Sequence, residues 1–287
     1  MASEATALLA SISFALFAVY GWLGLRHSTP LAGTIISLAA RTITLGAAVV
    51  CTGGIPVYVP AALAVFVFLG VLQSTISLLT FIGLEKIGTA RSQPLRNSYP
   101  LWSTAIAMGL MHEQASLAVL AGTLMVVAGV VLISWKPETV ALNYRWWHVL
   151  YSLAAGFLAG VAFPLRRYGL TITNAPVFFS FIVAVVSLFG SLPYIFWHRS
   201  EQGLVWSRRA FAYFFASGFF EGMGALLTLV ALTTARVVIV SPIVATTPLF
   251  SLVISLIFLR GKESITSRTI LGTLAVVAGT IAIALGR

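Results

Sequence analysis

GTLMVVAG, residues 122–129, comes back as GTLAVVAG at residues 272–279. The reading of that pair decides the fold. Its offset is 272 − 122 = 150, and other matches run collinear with it. Pro94 and Pro100 return as Pro242 and Pro248, at 242 − 94 = 148 and 248 − 100 = 148. Gly70, Gln73 and the LLT of 78–80 match Gly218, Glu221 and the LLT of 226–228 at the same offset. Ser11 and Arg26 match Ser152 and Arg167, at 152 − 11 = 141. A few loop insertions account for the drift from 141 to 150. Apolar stretches resemble one another by chance, but a collinear set that includes prolines and mid-span polar residues does not arise that way. The chain therefore divides into two repeats, 1–138 and 139–287.

Composition says where the repeats live. Of 287 residues, 59% are hydrophobic and 8% charged, and the mean hydropathy is +1.02. Soluble domains carry roughly a quarter charged residues. The class is therefore all-α and polytopic, an integral membrane protein. A spanning helix needs about 20 apolar residues. Ten runs qualify, some at the short end: 5–25, 31–51, 61–84, 89–111, 117–135, 147–165, 175–197, 211–232, 237–259 and 270–285. The gaps are short and leave no room for a soluble domain. The N-terminus has no basic segment before its apolar stretch, so it reads as a retained first helix.

The net charge of +10 is spread over loops, not gathered on one face, which excludes nucleic acid as a partner. The odd-numbered gaps hold Arg26, Lys86, Arg91, Lys136, Arg145, Arg199, Arg208, Arg209, Arg260, Lys262 and Arg268. The even-numbered gaps and the C-terminus hold Arg166, Arg167, Arg236 and Arg287. The positive-inside rule puts the richer set in the cytoplasm and both termini outside. Trp135, Trp146, Trp147, Trp197 and Trp206 stand at span ends, as interfacial anchors do. The single cysteine, Cys51, excludes an intrachain disulfide and reads as a small lipid- or core-facing residue.

Equivalent spans lie five crossings apart, and five is odd, so the halves insert with opposite orientation. Inverted repeats of this kind are the architecture of many secondary transporters, with the substrate site near the midplane. Each half closes with its G-T-L-x-V-V-A-G span after a short loop carrying Glu, HEQ at 112–114 and GKE at 261–263. With the paired prolines of spans four and nine, the pattern resembles the ten-helix, EamA-type branch of the drug/metabolite transporter superfamily. Within it the chain is similar to YddG-type exporters of aromatic and other neutral amino acids. That resemblance implies a bacterial inner-membrane exporter working by alternating access. It also implies a central cavity lined by spans one, three, four, six, eight and nine, with spans five and ten at the periphery. The glycines at 122 and 129, and at 272 and 279, put small residues on one face for close packing. The duplication supplies that packing within one chain, so a monomer is expected.

Polar groups deep in a bilayer are functional candidates. Gln73 and Glu221 are repeat-equivalent and mid-span, with Ser74 beside Gln73. Glu221 is the one carboxylate well inside a span; the chain has no Asp. It is either a group that couples protons or binds an amine, or a carboxyl tied to a neighbouring helix or an arginine. Arg96 lies seven residues into span four and is a candidate for a substrate carboxylate or a snorkelling charge. Arg41 reads as structural. A mid-helix proline frees a carbonyl, which a membrane tolerates where hydroxyls, neighbours or cavity water re-satisfy it. Pro94, Pro100, Pro242 and Pro248 are thus hinge candidates, and Pro164 a further one. Around the first four stand Ser92, Asn97, Ser98 and Tyr99, and Ser241, Thr246 and Thr247, as substrate-binding candidates. Phe17, Tyr20, Tyr99, Trp102 and Phe163 are candidates for stacking on a flat solute.

The chain has no HExxH, no G-x-S-x-G elbow and no P-loop, and its four His stand at or near span ends. An enzyme is therefore not expected, nor a metal or cofactor. The expected partners are the bilayer, a small-molecule substrate and, as a candidate, protons. The alternative readings are a permease for sugar phosphates, nucleotide sugars or cationic drugs, or a membrane protein without transport. Phosphate-bearing substrates would want several deep cations, and only Arg41 and Arg96 count as deep in the sequence.

Overall fold

The structure is a computed structural model that describes residues 2–87, 92, 95–134, 145–202, 207–258 and 267–286. Among these residues all regular elements are helical. The first half contains α1 (Ala2–Leu25), α2 (Pro30–Cys51), α3 (Pro60–Ile87), α4 (Tyr99–Leu110) and α5 (Leu117–Ser134). A 3-10 turn, Trp146–His148, leads into α6 (Val149–Ile172) and α7 (Pro176–Gln202). Then come α8 (Arg208–Thr234), α9 (Val237–Val244), α10 (Thr247–Phe258) and α11 (Ser267–Leu285). Eight stretches among the described residues are long and apolar enough to cross a bilayer, α9 and α10 counting together, and Leu117–Ile133 is a shorter one.

Helix ends follow local chemistry. Pro30 opens α2, and Thr29 caps it by accepting a hydrogen bond from the Ala32 N–H, since proline has no N–H to waste in the first turn. Gly53 ends α2 at a φ of 102°, and the Gly54 N–H closes the turn on the Val49 carbonyl at 2.9 Å. Glycine reaches that region without a steric cost. Cys51, the last residue of α2, is exposed.

The two proline-bearing segments break at matching places. Residues 95 and 96 are helical, 97 and 98 form a turn, and α4 starts at Tyr99. Likewise α9 stops at Val244, 245 and 246 form a turn, and α10 starts at Thr247. Pro100 and Pro248 are the second residues of the new helices, where a missing N–H costs nothing. The hydrogen bonds correspond one to one. The N–H groups of Ser98 and Thr246 donate to Leu95 and Ile243, and those of Leu101 and Leu249 to Ser98 and Thr246. The same two carbonyls also accept from hydroxyls, Leu95 from Ser98 Oγ at 2.7 Å and Ile243 from Thr246 Oγ1 at 2.7 Å, while the Val244 carbonyl, four residues before Pro248, accepts from Thr247 Oγ1 at 2.8 Å. Pro94 lies outside the described residues.

Packing follows the same correspondence. α1 packs on α8, and α6 on α3; α2 packs on α8, and α7 on α3; α10 packs on α1, and α4 on α6. Glycines make two of these crossings. A Cβ on Gly70 would lie 2.5 Å from the Val186 Cβ, and one on Gly218 would collide with the Ser37 carbonyl. At the periphery α5 and α11 pair closely. A Cβ on Gly122 would stand 2.6 Å from the Gly279 carbonyl oxygen, and one on Gly129 2.6 Å from that of Gly272. Backbone meets backbone there, and no larger residue fits. In the core, Phe66 of α3 stacks on Phe179 of α7 at 4.1 Å, both fully buried.

Candidate functional site

A cavity of about 350 Å³ enters the helix bundle from one side. Its mouth is at Leu25 and Gly33, where α1 ends and α2 begins, and its wall includes Phe214 near the start of α8. Its deep end is at Arg41, Gln73 and Glu221, midway along α2, α3 and α8. Phe17 and Ser74 also line it, as do Ser187, Gly190 and Ser191 of α7. Helices α2 and α7 thus contribute wall, whereas the family resemblance gave the lining to other spans.

At the deep end Arg41 donates from Nη1 to Glu221 Oε1 at 3.0 Å. Arg41, read from the sequence as structural, is the arginine to which the deep carboxylate is tied, and it also lines the cavity. Glu221 is 18% exposed and Arg41 4%, so both charges are largely out of water and depend on each other. Behind them stands a cation that the sequence had placed in a loop. Helix α6 does not stop at residue 165: it runs through Pro164 to Ile172, which puts Arg166 inside it. Arg166 Nη2 donates to Gln73 Oε1 at 3.4 Å, and its guanidinium lies 5.4 Å from the Phe163 ring centre. Phe163 in turn stacks on Tyr99 at 5.4 Å. Tyr99 and Phe163 therefore act on each other and on Arg166, with Phe163 buried. Arg96 lies within electrostatic range of Tyr99 and Glu221, and Arg166 within range of Arg41.

The other candidates fall elsewhere. Ser241 is bonded to Ser103 of α4, and Thr246 and Thr247 reach Ser11 of α1 at 2.9 and 3.3 Å. Ser92 accepts from Ser152 of α6 at 2.8 Å. These hydroxyls join helices, and none of them lines the cavity. Asn97 is in the first turn between helices. Tyr20 stacks on Phe220 at 5.5 Å, away from the cavity lining. Trp102 meets Phe157 edge to face at 5.4 Å, with both rings on the exposed surface. Of the proposed hinges, Pro242 is inside α9 and Pro164 inside an unbroken α6. Among the described residues no three His, Cys, Asp or Glu side chains gather as metal ligands would.

The opposite side of the bundle is tied across by hydrogen bonds. Both carboxylate oxygens of Glu113 accept from the start of α9, from the Val237 N–H at 3.0 Å and the Val238 N–H at 3.1 Å. These are N–H groups that a helix cannot satisfy itself. Arg236 donates to the Gln114 carbonyl at 2.7 Å, the Val59 N–H to Thr173 Oγ1 at 3.1 Å, and Arg167 to the Leu232 carbonyl. His112, with a φ of 53°, turns the chain so that Glu113 follows α4 directly.

The sequence matches the profile of the EamA-like transporter family in two stretches, residues 1–135 and 146–285. Among curated proteins none matches it. A solved structure described only as "Crystal structure of protein" superimposes with a TM-score of 0.82 at 15% identity. The alignment covers 99% of this chain and 96% of that one, and at such identity the likeness is one of fold.

Proposed function

The chain belongs to the EamA-like transporter family of the drug/metabolite transporter superfamily, and on that premise we propose that it is a secondary transporter of small organic solutes bearing a carboxylate or similar anionic group. The observation that carries the reading is the cavity that reaches Arg41, Gln73 and Glu221 at mid-bundle. A pocket that ends among charges at the depth of the bilayer centre serves a polar solute in transit.

The architecture behind it is ten crossings in two inverted halves, 1–138 and 139–287. Three observations support this: the family profile matches in two stretches, the helix contacts correspond in pairs, and the broken turns share one hydrogen-bond pattern. Alternating access then means opening the Glu113 side while closing the mouth between α1, α2 and α8, with the breaks at 97–98 and 245–246 absorbing the bend. The mouth adjoins Arg26, Arg208 and Arg209, the charge-rich side that the positive-inside rule assigns to the cytoplasm. Solute loads from there, as export requires.

Neutral amino acids are the second reading, favoured by the pairing of opposite charges at the deep end: a carboxylate would face arginine and an ammonium Glu221. The test is counterflow in proteoliposomes with labelled Phe, Trp, Thr, Met and succinate, with and without a pH gradient. Flux of at least one solute is expected, and no flux of any refutes transport. A Glu221→Gln variant that keeps full gradient-dependent flux removes Glu221 as the proton-coupling group.

A further inference from the structure

Three arginines stand at or beside the deep end of the cavity on three separate segments: Arg41 on α2, Arg96 on the helical residues just before the 97–98 turn, and Arg166 on α6. Arg41 lines the cavity, Arg166 is bonded to the lining residue Gln73, and Arg96 is in electrostatic range of the lining residue Glu221. In all three the Nε is buried without a hydrogen-bond partner. One such orphan is unremarkable; three beside one cavity mark a cluster short of hydrogen-bond acceptors, since buried N–H groups are almost always satisfied. Among the described residues the only carboxylate in the cluster is Glu221. The formal charge is therefore 3 − 1 = +2. Like charges held together at low dielectric oppose folding, so a ligand that brings two negative charges relieves the cluster, whereas a zwitterion leaves its surplus untouched.

The aromatic surface available to a flat solute is correspondingly thin. Tyr99 and Phe163 are stacked on each other, with Arg166 over Phe163. Among the described residues, Phe17 and Phe214 are the aromatic residues in the cavity lining. Its volume of about 350 Å³ is at the small end of the roughly 300–1,000 Å³ typical of ligand pockets.

We infer that this site, taken as the transport site proposed above, selects small organic dianions: a dicarboxylate or a phosphate monoester, each presenting oxygens that guanidinium forks hold in pairs. Arg96 and Arg166 are its selectivity residues, and Tyr99 and Phe163 position Arg166.

Two measurements on the full chain test this. Thermal shift in detergent reads binding of succinate, glycerol 3-phosphate and phenylalanine; counterflow in liposomes reads exchange of the same three, labelled. Succinate or glycerol 3-phosphate should stabilise the protein and exchange, with phenylalanine weaker by about tenfold or more, the worth of one charge-assisted hydrogen bond. Which of the two anions is preferred separates a dicarboxylate site from a phosphate site. Arg166→Gln should weaken anion binding by about tenfold and Arg166→Lys by less, because it keeps the charge and loses the fork. Should either variant fail to fold, Arg96→Gln is read in its place. Exchange of phenylalanine without exchange of either anion overturns the inference and leaves transport standing. Binding of an anion with no exchange of any solute leaves the site and removes the transport reading. Neither binding nor exchange overturns both.

Discussion

Removing the carboxylate at the deep end should cost far more than a hydrogen bond. Arg41 and Glu221 meet at 3.0 Å, with charge centres about 4 Å apart, and at an effective dielectric of about 20 their attraction is about 4 kcal/mol. Breaking a buried pair by deleting one partner costs about 3–5 kcal/mol, because the other charge stays behind uncompensated. For Glu221→Gln the remaining charge is Arg41, 4% exposed, with Arg96 and Arg166 nearby. Arg41→Met is milder, because Glu221 still has Arg96 in range. Combining the two should give back about 2 kcal/mol relative to the sum of the single changes, within the range found for coupled neighbours. Reversible unfolding in mixed dodecylmaltoside and SDS micelles, followed by circular dichroism at neutral pH, yields all four corners of the cycle. A coupling below about 0.5 kcal/mol, the level at which independent sites add, refutes the reasoning. So does an Arg41→Met that is costlier than Glu221→Gln.

The α5–α11 seam should tolerate no side chain. Gly129→Leu places atoms where the Gly272 carbonyl already stands and should cost about 3 kcal/mol or more by overpacking, while Leu124→Ala, on the exposed face of the same helix, stays within about 0.5 kcal/mol. The same unfolding assay compares them, and equal costs would show that the seam is loose. Thr246→Val removes the bonds to Ser11 and to the Ile243 carbonyl and should cost about 1–3 kcal/mol; Ser11→Ala should cost less when added to it than when made alone, since the Ser11–Thr246 contact is already gone and only the bond to Thr247 remains to lose. Glu113→Gln weakens the clasp on the Val237 and Val238 N–H groups. In a Cys51→Ser background, maleimide should label Ala115→Cys faster once Glu113 is changed, and an unchanged rate would mean that the clasp does not hold that side shut.

What could be read in the sequence was whatever repeats. The breaks at 97–98 and 245–246, and the glycine seam, depend on prolines and glycines that recur at a fixed offset, and both leave a visible pattern. The direction each helix faces leaves none. These spans are apolar all round, so no stripe marks which face meets the cavity, and the hydroxyls of Ser241, Thr246 and Thr247 turned out to join helices. Serines on α2 and α7 line the wall instead. Arg166 was hidden for a different reason. It follows Pro164 and precedes Arg167, whose repeat mate Arg26 is in a turn just after α1, so both arginines read as loop. A proline inside a helix packed by neighbours does not end it, and α6 carries both of them inward. One residue thereby moves from the loop charge tally to the neighbourhood of the candidate site, beside Gln73.

Cys51 has a use that its bland surroundings conceal. It is the only thiol in the chain, it is exposed, and it ends α2 at the turn through Gly53 and Gly54. The native sequence is therefore a single-label protein as it stands. A membrane-impermeant maleimide offered to one face of sealed vesicles therefore reads which compartment the turn after α2 faces. The same thiol, carrying a spin or fluorescent label, tests whether the side tied by Glu113 opens when solute is added.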